Sequence, residues 1–417
     1  MSRPVRLLEV GLTWPPETFL RWKYRGLVER GYRITVVASY VEDPEFRIDG
    51  VRVVRMPDVE ARGARVLVAV LWHAALAPRR FARLVRAVGW RPLGRLRYLA
   101  WLARLRGDVV HFEWEGAAVG HLPLFPVWDL PVAMSCHGGL HVYVHAPARR
   151  RMVAGLAEAF EAASAVAAVS RAVLAEAEAR GLDPAKAHLV PSAVDPTVFS
   201  PLQRPSSDEL NVVAVGWLRW LKGLEWAVAA LGLLRSRGVP VRLEVFGGDP
   251  QPPLGEASDR ERLLWAAEEL GVQDSLVVRG HVPSELLVGE LRSADVLLHS
   301  SLSEGVPTVV LEAMACELPV VVTDVGGVRE AVTDGVEGLL VPPRDPAALA
   351  DALERLWLDP DLRARLGRAG RERVLREFTL ERQLDSLDSI YRSLIAGARP
   401  AGAPVPPVPD PSPSLRP

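Results

Sequence analysis

Short apolar runs alternate with helical segments along most of the chain. Residues 6–10 predict a strand, residues 18–30 predict a helix that ends at Gly31, and residues 32–38 predict the next strand. Further short runs rich in β-forming residues follow at 51–55, 108–112 and 132–135. Strand–helix alternation of this kind is typical of a parallel sheet with crossover helices.

A segment rich in Pro, Ser and Asp, residues 195–209, interrupts the alternation and is predicted to be a linker. A second series follows, with strands at 210–215, 241–246, 276–278, 296–299, 320–323 and 338–341, and with helices at 224–237, 256–270, 284–294, 307–316, 328–332 and 347–358. Two such series predict two similar open-sheet domains. Because ligands bind beyond the carboxyl ends of parallel strands, we expect the site in the cleft between the domains.

These patterns give predicted domain limits. Residues 1–200 form an N-terminal Rossmann-like domain and residues 201–379 a C-terminal one. Residues 380–396 form a final amphipathic helix. Residues 397–417 are rich in proline and are predicted to be a disordered tail that packs no core.

Composition narrows the class of protein. Hydrophobic residues make up 49% of the 417, which is too many for a disordered chain. The net charge of -1 argues against a simple nucleic-acid binder, and two cysteines are too few for a disulfide scaffold or a cysteine-based zinc site. The first residues lack an apolar run long enough for a secretory signal, and the longest apolar stretch, 66–77, is about half a bilayer span. We therefore expect a soluble cytoplasmic protein, or one that lies on the inner face of a membrane without crossing it.

The strongest functional signal lies at residues 300–332. A strand is followed by a polar turn with Gly305, and a helix is predicted to open at Pro307, a favoured first helical position. The N–H groups that open such a helix form an anion site. Glu304 precedes the helix and Glu312 lies in its second turn, so one carboxylate is placed to bind hydroxyls near the anion and the other a more distant ribose. If the two acids are considered alone, the favoured interpretation is a capping glutamate and a surface glutamate.

The whole segment resembles the E-x7-E region of retaining GT-B glycosyltransferases, specifically glycosyltransferase family 4. The matching residues are Glu304-Gly305, then Leu311-Glu312-Ala313-Met314-Ala315-Cys316, Pro319-Val320-Val321 and Gly326-Gly327. The resemblance implies that Glu304 contacts hydroxyls of the donor sugar and that Glu312 contacts the ribose. It also implies that the backbone of the turn and first helical residues approaches the sugar and diphosphate, at Gly305, Val306, Thr308 and Val309; Pro307 has no N–H to offer.

A second resemblance opens the C-terminal domain. Residues 213–223 are similar to the family's Gly-Arg-Leu … Lys-Gly loop, in which arginine and lysine clamp the leaving diphosphate. Gly216, Lys222 and Gly223 match, whereas Trp217 stands where the arginine usually is. Arg219, two residues on, is the candidate replacement. Lys222 is one of only three lysines in the chain; the alternative interpretation is a solvated surface lysine.

A lone histidine, His137, follows the predicted strand 132–135 and precedes Gly138-Gly139. In the family that the chain resembles, a histidine in a similar setting faces the donor sugar, so His137 is assigned that role. A metal set of His137, His141 and His145 is the alternative. The glycines argue against the helix that this spacing needs, and only Cys136 nearby adds a further ligand type.

Weaker similarities complete the N-terminal domain and the base site. Residues 279–282 resemble the loop whose backbone meets the nucleobase, which implicates Val282. Gly11 is predicted to begin the first strand–helix turn, and Glu17 and Thr18 lie in a variant of the family's N-terminal loop. The usual Gly-Gly pair is missing there, and Ser192-Ala193 replaces the usual Asn-Gly before the linker.

Residues 61–107 contain 11 arginines and no acidic residue, with Trp72, Trp90, Tyr98 and Trp101 interleaved. Such a segment can lie on an anionic bilayer with its apolar side down. Ordinary helices with a cationic outer face, or a nucleic-acid surface, are the alternatives. We expect the membrane surface as a partner and no nucleic acid.

The sequence thus predicts a GT-B fold and transfer of a sugar, with retention, from a UDP- or GDP-type nucleoside-diphosphate sugar to a sugar or lipid-linked acceptor in cell-surface polysaccharide or glycolipid assembly. No Asp-x-Asp motif ends a predicted strand, so a metal-independent hexosyltransferase without a further cofactor is expected. A nucleotide-sugar epimerase or hydrolase, and a non-catalytic glycosyltransferase-like partner, remain alternatives. A dinucleotide dehydrogenase is disfavoured because no G-x-G-x-x-G follows the first strand.

Overall fold

The computed structural model describes residues 3–58, 63–89, 93–138, 150–202, 207–249 and 257–397. His141 and His145 of the alternative metal set lie outside these residues, as does the proline-rich tail beyond Gly397. Two parallel sheets organise the chain.

The first sheet has seven strands in the order β3-β2-β1-β4-β5-β6-β7. Their bounds are Arg6–Trp14 (β1), Arg33–Val41 (β2), Val51–Arg55 (β3), Val109–Phe112 (β4), Val132–Cys136 (β5), Ala165–Ala168 (β6) and Ala187–Leu189 (β7). Strands β4, β5 and β6 are buried along their whole length, as expected for a parallel sheet covered on both faces.

The helices around this sheet are α1 (Thr18–Glu29), α2 (Ala64–Leu76), α3 (Pro78–Val88), α4 (Leu93–Leu102), α5 (Glu115–His121), α6 (Arg150–Ala162) and α7 (Arg171–Glu178). The basic apolar stretch therefore forms three helices, α2 to α4.

The second sheet has six strands in the order β10-β9-β8-β11-β12-β13. They are Leu210–Val215 (β8), Val241–Phe246 (β9), Leu276–Gly280 (β10), Val296–His299 (β11), Val320–Thr323 (β12) and Gly338–Val341 (β13). The helices are α8 (Leu224–Ser236), α9 (Asp259–Glu269), α10 (Ser284–Ser293), α11 (Thr308–Ala315), α12 (Pro346–Leu358), α13 (Pro360–Glu377) and α14 (Leu380–Ile395). Strand order reverses beside the first strand of each sheet, so a crevice opens there at the carboxyl ends.

Helix α14 packs back on the first sheet's domain rather than on the second. Its Leu384 fits so closely over Gly26 of α1 that a β-carbon there would overlap it, and its Tyr391 is fully buried. The two segments that join the domains run side by side, because Val194 pairs with Thr379. The chain therefore crosses between the domains twice at one place.

Several predicted element limits differ from the structure, among them the end of β2, which reaches Val41 instead of residue 38. Strand β1 continues to Trp14 instead of ending at residue 10, because Gly11 takes a φ of +86° in a bulge and lets Leu12–Trp14 go on pairing with β2. Gly11 therefore lies inside the strand and does not begin the turn. Helix α11 begins at Thr308, with Pro307 as its N-cap, and the predicted helix at 328–332 is one 3-10 turn at Val328–Glu330.

Among the described residues, no helix is both long enough and apolar enough to span a bilayer.

Candidate active site

Glu304 lies in a group of ionisable side chains at the carboxyl end of the second sheet, between β11 and α11. Its Oε1 accepts a hydrogen bond of 2.7 Å from Lys222 Nζ and lies 2.9 Å from His299 Nε2. Burial raises the pKa of Glu304, but Lys222 and His299 outweigh burial and hold that pKa well below its usual range. The carboxylate is therefore anionic at neutral pH and fixed by two donors.

Glycines make room for Lys222 beside this carboxylate. Lys222 ends a 3-10 turn after β8. Gly216 has a φ of +151°, and a β-carbon there would lie 3.1 Å from Lys222 Cε, so the lysine stem runs directly over this glycine. Ser300 Oγ donates to the Lys222 carbonyl oxygen over 3.0 Å. The predicted Gly216 and Lys222 therefore form one unit that aims an ammonium group at Glu304.

A close-packed turn joins Glu304 to α11. A β-carbon on Gly326 would overlap the Glu304 carbonyl oxygen, and one on Gly327 would overlap that of Gly305. Gly326 and Gly327 are thus required because their loop packs directly against the backbone of the Glu304–Gly305 turn. Thr308 and Val309 occupy the first turn of α11, where backbone N–H groups lack partners within the helix and attract anions.

Glu312 lies one turn further along α11 and is half-buried. Burial alone raises its pKa to about 7. Hydroxyl groups that donate to this carboxylate would stabilise its charged form, which burial disfavours. This matches the predicted ribose contact, which stays a prediction.

His137 follows β5 and reaches the same place from the other domain. A β-carbon on Gly305 would lie 2.8 Å from the His137 carbonyl oxygen, and one on Gly138 would lie 2.7 Å from the Gly305 nitrogen. The histidine loop therefore touches the Glu304–Gly305 turn directly. The ring packs against both Phe19 and Trp114, with centroid distances of 5.3 and 5.0 Å, and these two rings also contact each other. Burial lowers the pKa of His137 to about 3, so the imidazole is neutral.

Polar contacts between the domains surround this meeting point. Glu330, of the second domain, accepts hydrogen bonds from the backbone nitrogens of Arg171 and Ala172 at 2.9 and 3.0 Å. Ser192 Oγ donates to the Val306 carbonyl oxygen over 2.9 Å. Because a carboxylate at a helix N-terminus is favourable, Glu330 serves as a cap for α7 across the cleft. The described arrangement is one in which the cleft is closed at this edge.

The remaining predicted donor residues are more exposed. Trp217 packs on Gly248, and the Arg219 guanidinium stacks over its ring at 5.8 Å. Arg219 thus engages the tryptophan that occupies the family's arginine position, and its contact with a diphosphate stays a prediction. Val282 is half-buried after β10.

The N-terminal loop residues lie beside Phe19 and so near His137. Glu17 is the N-cap of α1 and Thr18 is its first residue. Gly11 packs on α5, where a β-carbon would lie 2.7 Å from Ala117 Cβ. Gly11 therefore acts on this region through packing, while roles for Glu17 and Thr18 stay predictions.

Three contributors to this region escaped the sequence reasoning: His299, Glu113 and Lys23. His299 ends a predicted strand five residues before Glu304, and a polar residue at the carboxyl end of a parallel strand indicates a site. Glu113 follows β4, and its Oε2 lies 3.2 Å from His137 Nε2. Lys23 is one of the three lysines and is buried, but its helical position gave no hint of its distant partners.

A metal set appears among the described residues in a place that was not predicted. Atoms of Glu9, His111 and Glu113 lie within 4.8 Å of one another. Lys23 Nζ, however, lies 3.1 Å from Glu9 Oε1 and also contacts Glu113. An ammonium group already balances these carboxylates, so the residues fit an internal ion cluster better than a metal site.

Comparison with known proteins agrees with this architecture. Residues 17–198 match the family described as Glycosyltransferase Family 4, and residues 201–373 match Glycosyl transferases group 1. The D-inositol 3-phosphate glycosyltransferase of Acidothermus cellulolyticus is 33% identical over 314 residues, which cover 70% of this chain and 69% of that one. The alpha-D-kanosaminyltransferase of Streptomyces kanamyceticus is 31% identical over 187 residues, 45% of this chain and 46% of that one.

Solved structures show the same fold. Sucrose-phosphate synthase from Thermosynechococcus elongatus aligns with a TM-score of 0.76 at 22% identity, over 94% of this chain and all of that one. Anabaena HepE, solved in complex with UDP and glucose, aligns with a TM-score of 0.71 at 17% identity, over 93% of this chain and 100% of that one. Two Rossmann-like domains that meet at one cleft define the GT-B class of glycosyltransferases, as predicted. Within that class, the chain belongs to glycosyltransferase family 4, the group 1 glycosyltransferases.

Proposed function

We propose that this glycosyltransferase moves a hexose from a nucleoside-diphosphate sugar to a hydroxyl acceptor, with retention of anomeric configuration and without a metal ion. The observation that carries the proposal is the Lys222–Glu304 pair at the N-terminal end of α11, faced by the His137 loop. It combines a cation and helix amides for a diphosphate with a carboxylate for sugar hydroxyls.

Each group then has a distinct task. Lys222 and the first amides of α11 stabilise the negative charge that grows on the leaving diphosphate. Glu304, held by Lys222 and His299, accepts hydrogen bonds from hydroxyls of the donor sugar. Glu312 binds the ribose hydroxyls further along the same helix. The donor is thereby held along one line from α11 to the His137 loop.

The state of Glu304 supports a mechanism that retains the anomeric configuration. Glu304 is already bound by two donors and has a strongly lowered pKa, which makes it a poor nucleophile or base. We infer that the acceptor oxygen attacks the anomeric carbon on the face that the diphosphate leaves. The bond from that carbon to the phosphate oxygen breaks, the new glycosidic bond forms, and the departing phosphate oxygen takes the acceptor's proton.

The exposed face of α2 supports a lipid-linked acceptor. Leu67, Val68, Leu71, Trp72 and Leu76 form a continuous exposed stripe, here called the α2 stripe. Arg79 and Arg86 are exposed on the adjoining α3, whereas Arg80 and Arg83 pair with Asp129. An apolar stripe beside cationic side chains suits the surface of an anionic bilayer. We propose that the enzyme works at the cytoplasmic membrane face, in the assembly of a cell-surface polysaccharide or glycolipid.

Activity is tested by supplying UDP- and GDP-linked hexoses with sugars, inositol phosphates and lipid-linked sugars as acceptors. The proposal expects transfer from one donor, a product that keeps the donor's anomeric configuration by NMR, and no loss of rate in EDTA. Glu304→Ala should remove most activity while the protein stays folded. Full activity of that variant, an inverted product, or donor turnover that ignores every acceptor contradicts the proposal.

Membrane contact is tested by co-sedimentation with vesicles of phosphatidylglycerol at low salt. Trp72→Glu should reduce the bound fraction several-fold. Trp265→Glu is the matched control, because Trp265 is equally exposed (66% against 62%) but lies on α9 of the other domain. Equal effects of the two substitutions, or no sedimentation of the wild-type protein, refute the membrane proposal.

A further inference from the structure

A group of charged and polar side chains is buried beneath His137 in the first domain. It consists of Glu9, Lys23, His111, Glu113 and Tyr391, and we call it the buried ion cluster. All five are less than 5% exposed. They come from β1, α1, β4 with the residue that follows it, and α14, so the cluster joins four separate segments. Ion pairs taken out of water add little stability compared with apolar packing, so stability alone is a weak reason for keeping this one.

Lys23 and His111 connect the carboxylates of the cluster. Lys23 Nζ pairs with Glu9 Oε1 at 3.1 Å and with Glu113 Oε1. His111 Nδ1 lies 3.1 Å from Glu9 Oε1 and 3.3 Å from Glu113 Oε1. The Tyr391 hydroxyl lies 3.0 Å from the same nitrogen, which ties α14 to the cluster. Glu113 thus has one oxygen committed to a buried cation.

The second oxygen of Glu113 faces the candidate active site. Glu113 Oε2 lies 3.2 Å from His137 Nε2. An ionised carboxylate only accepts hydrogen bonds, so Nε2 of His137 must carry the ring proton. In a neutral ring the other nitrogen, Nδ1, is then an acceptor. Contacts with Phe19 and Trp114 limit ring rotation, and about a fifth of the side chain stays exposed.

We propose that Glu113, kept ionised by Lys23, is a positioning residue that fixes His137 in its Nε2–H tautomer and so presents Nδ1 to a hydroxyl of the donor sugar. The proposal rests on the proposed glycosyl transfer for the identity of the hydroxyl, but the tautomer stands independently of it. Glu113 touches no substrate. It decides whether the histidine offers the sugar an acceptor or a donor.

The decisive substitution is Glu113→Gln, because it keeps the size and inverts the hydrogen bonding. Lys23 donates only, so it selects the amide oxygen of the glutamine. The amide NH2 then faces His137 and can only donate, so the hydrogen bond forms only if Nε2 is an acceptor. The ring proton must move to Nδ1, and the hydroxyl of the sugar loses its acceptor.

Glu9→Gln is the matched control. It removes one buried charge from the same cluster, its amide oxygen still accepts from Lys23, and it leaves the Glu113–His137 hydrogen bond in place. A purely structural role of the cluster predicts similar effects of the two substitutions. The positioning role predicts that only Glu113→Gln changes His137.

The experiment combines imidazole nitrogen NMR of histidine-labelled protein with kinetics on deoxy-sugar donors. The wild type and Glu9→Gln should show His137 protonated at Nε2, and Glu113→Gln should show it at Nδ1. Glu113→Gln should lower kcat/KM roughly three- to tenfold with the full donor, as expected for one lost hydrogen bond. That penalty should vanish with the donor that lacks the contacted hydroxyl.

Two failures are distinguishable. A wild-type protein that transfers no sugar refutes the proposed function, while the NMR spectrum still tests the link between Glu113 and His137. An active wild type with His137 protonated at Nδ1 overturns the inference, even if Glu113→Gln fails to fold. Equal kinetic penalties for Glu113→Gln and Glu9→Gln on every donor also overturn it.

Discussion

Replacing Lys222 by methionine is the most informative single change at the cleft. Methionine keeps an unbranched stem over Gly216 but removes the ammonium that lies 2.7 Å from Glu304 Oε1. Removing one donor aimed at a developing negative charge typically costs about 10²–10³ in kcat. We therefore expect kcat to fall by about 10²–10³ when release of the nucleoside diphosphate is followed.

The same change should destabilise the folded protein only moderately. The side chains of Lys222 and Glu304 are 25% and 14% exposed, which is between a surface pair and a buried one. Surface pairs contribute about 0–1 kcal/mol, and breaking buried pairs costs about 3–5 kcal/mol. We expect a loss of about 1–3 kcal/mol in the free energy of unfolding. His299 still binds Glu304, so the fold should persist.

The contribution of Glu304 to the free energy of unfolding depends on pH. The lowered pKa of Glu304 contributes stability that is present above the carboxyl group's ordinary value of 4.5 and is lost as pH falls. In the Lys222→Met variant, the free energy of unfolding should therefore fall less steeply as the pH is lowered. Lys186→Met is the control, because Lys186 is equally half-buried but lies just before β7 of the first sheet, where its Nζ donates to the Glu161 carbonyl oxygen. The reasoning is refuted if Lys222→Met keeps more than a tenth of wild-type kcat, or if Lys186→Met loses as much.

Two further predictions concern the ribose contact and the closed cleft. Burial raises the pKa of Glu312 to about 7, so binding of the free nucleoside by the ionised carboxylate should strengthen about tenfold from pH 6 to pH 8; calorimetry should show the same affinity at both values for Glu312→Gln. Glu330→Ala removes two hydrogen bonds to the N-terminus of α7 and should favour an open cleft, which small-angle scattering would detect as a larger radius of gyration; unchanged scattering means that other contacts hold the domains.

Much of the fold could be predicted from the sequence because most strands are short apolar runs that alternate with segments of helical pattern. The predicted end of β1 was wrong because a bulge at one residue lets the strand continue. Gly11 let β1 bulge and continue to Trp14, and no local pattern distinguishes such a glycine from one that begins a turn.

The site divides in a similar way. Glu304, Lys222 and Glu312 lie in continuous motifs, so the sequence alone made them candidates. Lys23 and Glu113 meet only because α1 and β4 pack together, and residues 90 positions apart carry no local signature of contact. The rarity of lysine could have drawn attention to Lys23, since it is one of three lysines in an arginine-rich chain.

The central claim is that the cleft around Lys222, Glu304 and Glu312 binds a nucleoside-diphosphate sugar. The most direct measurement is calorimetric titration of the purified protein with UDP, GDP, ADP and their common sugars, repeated with Lys222→Met and Glu312→Gln for the ligand that binds. We expect one nucleotide to bind and both variants to bind it at least tenfold more weakly. Absence of binding by every nucleotide, or equal affinity of the wild type and both variants, would contradict the account and favour a non-catalytic relative of the family.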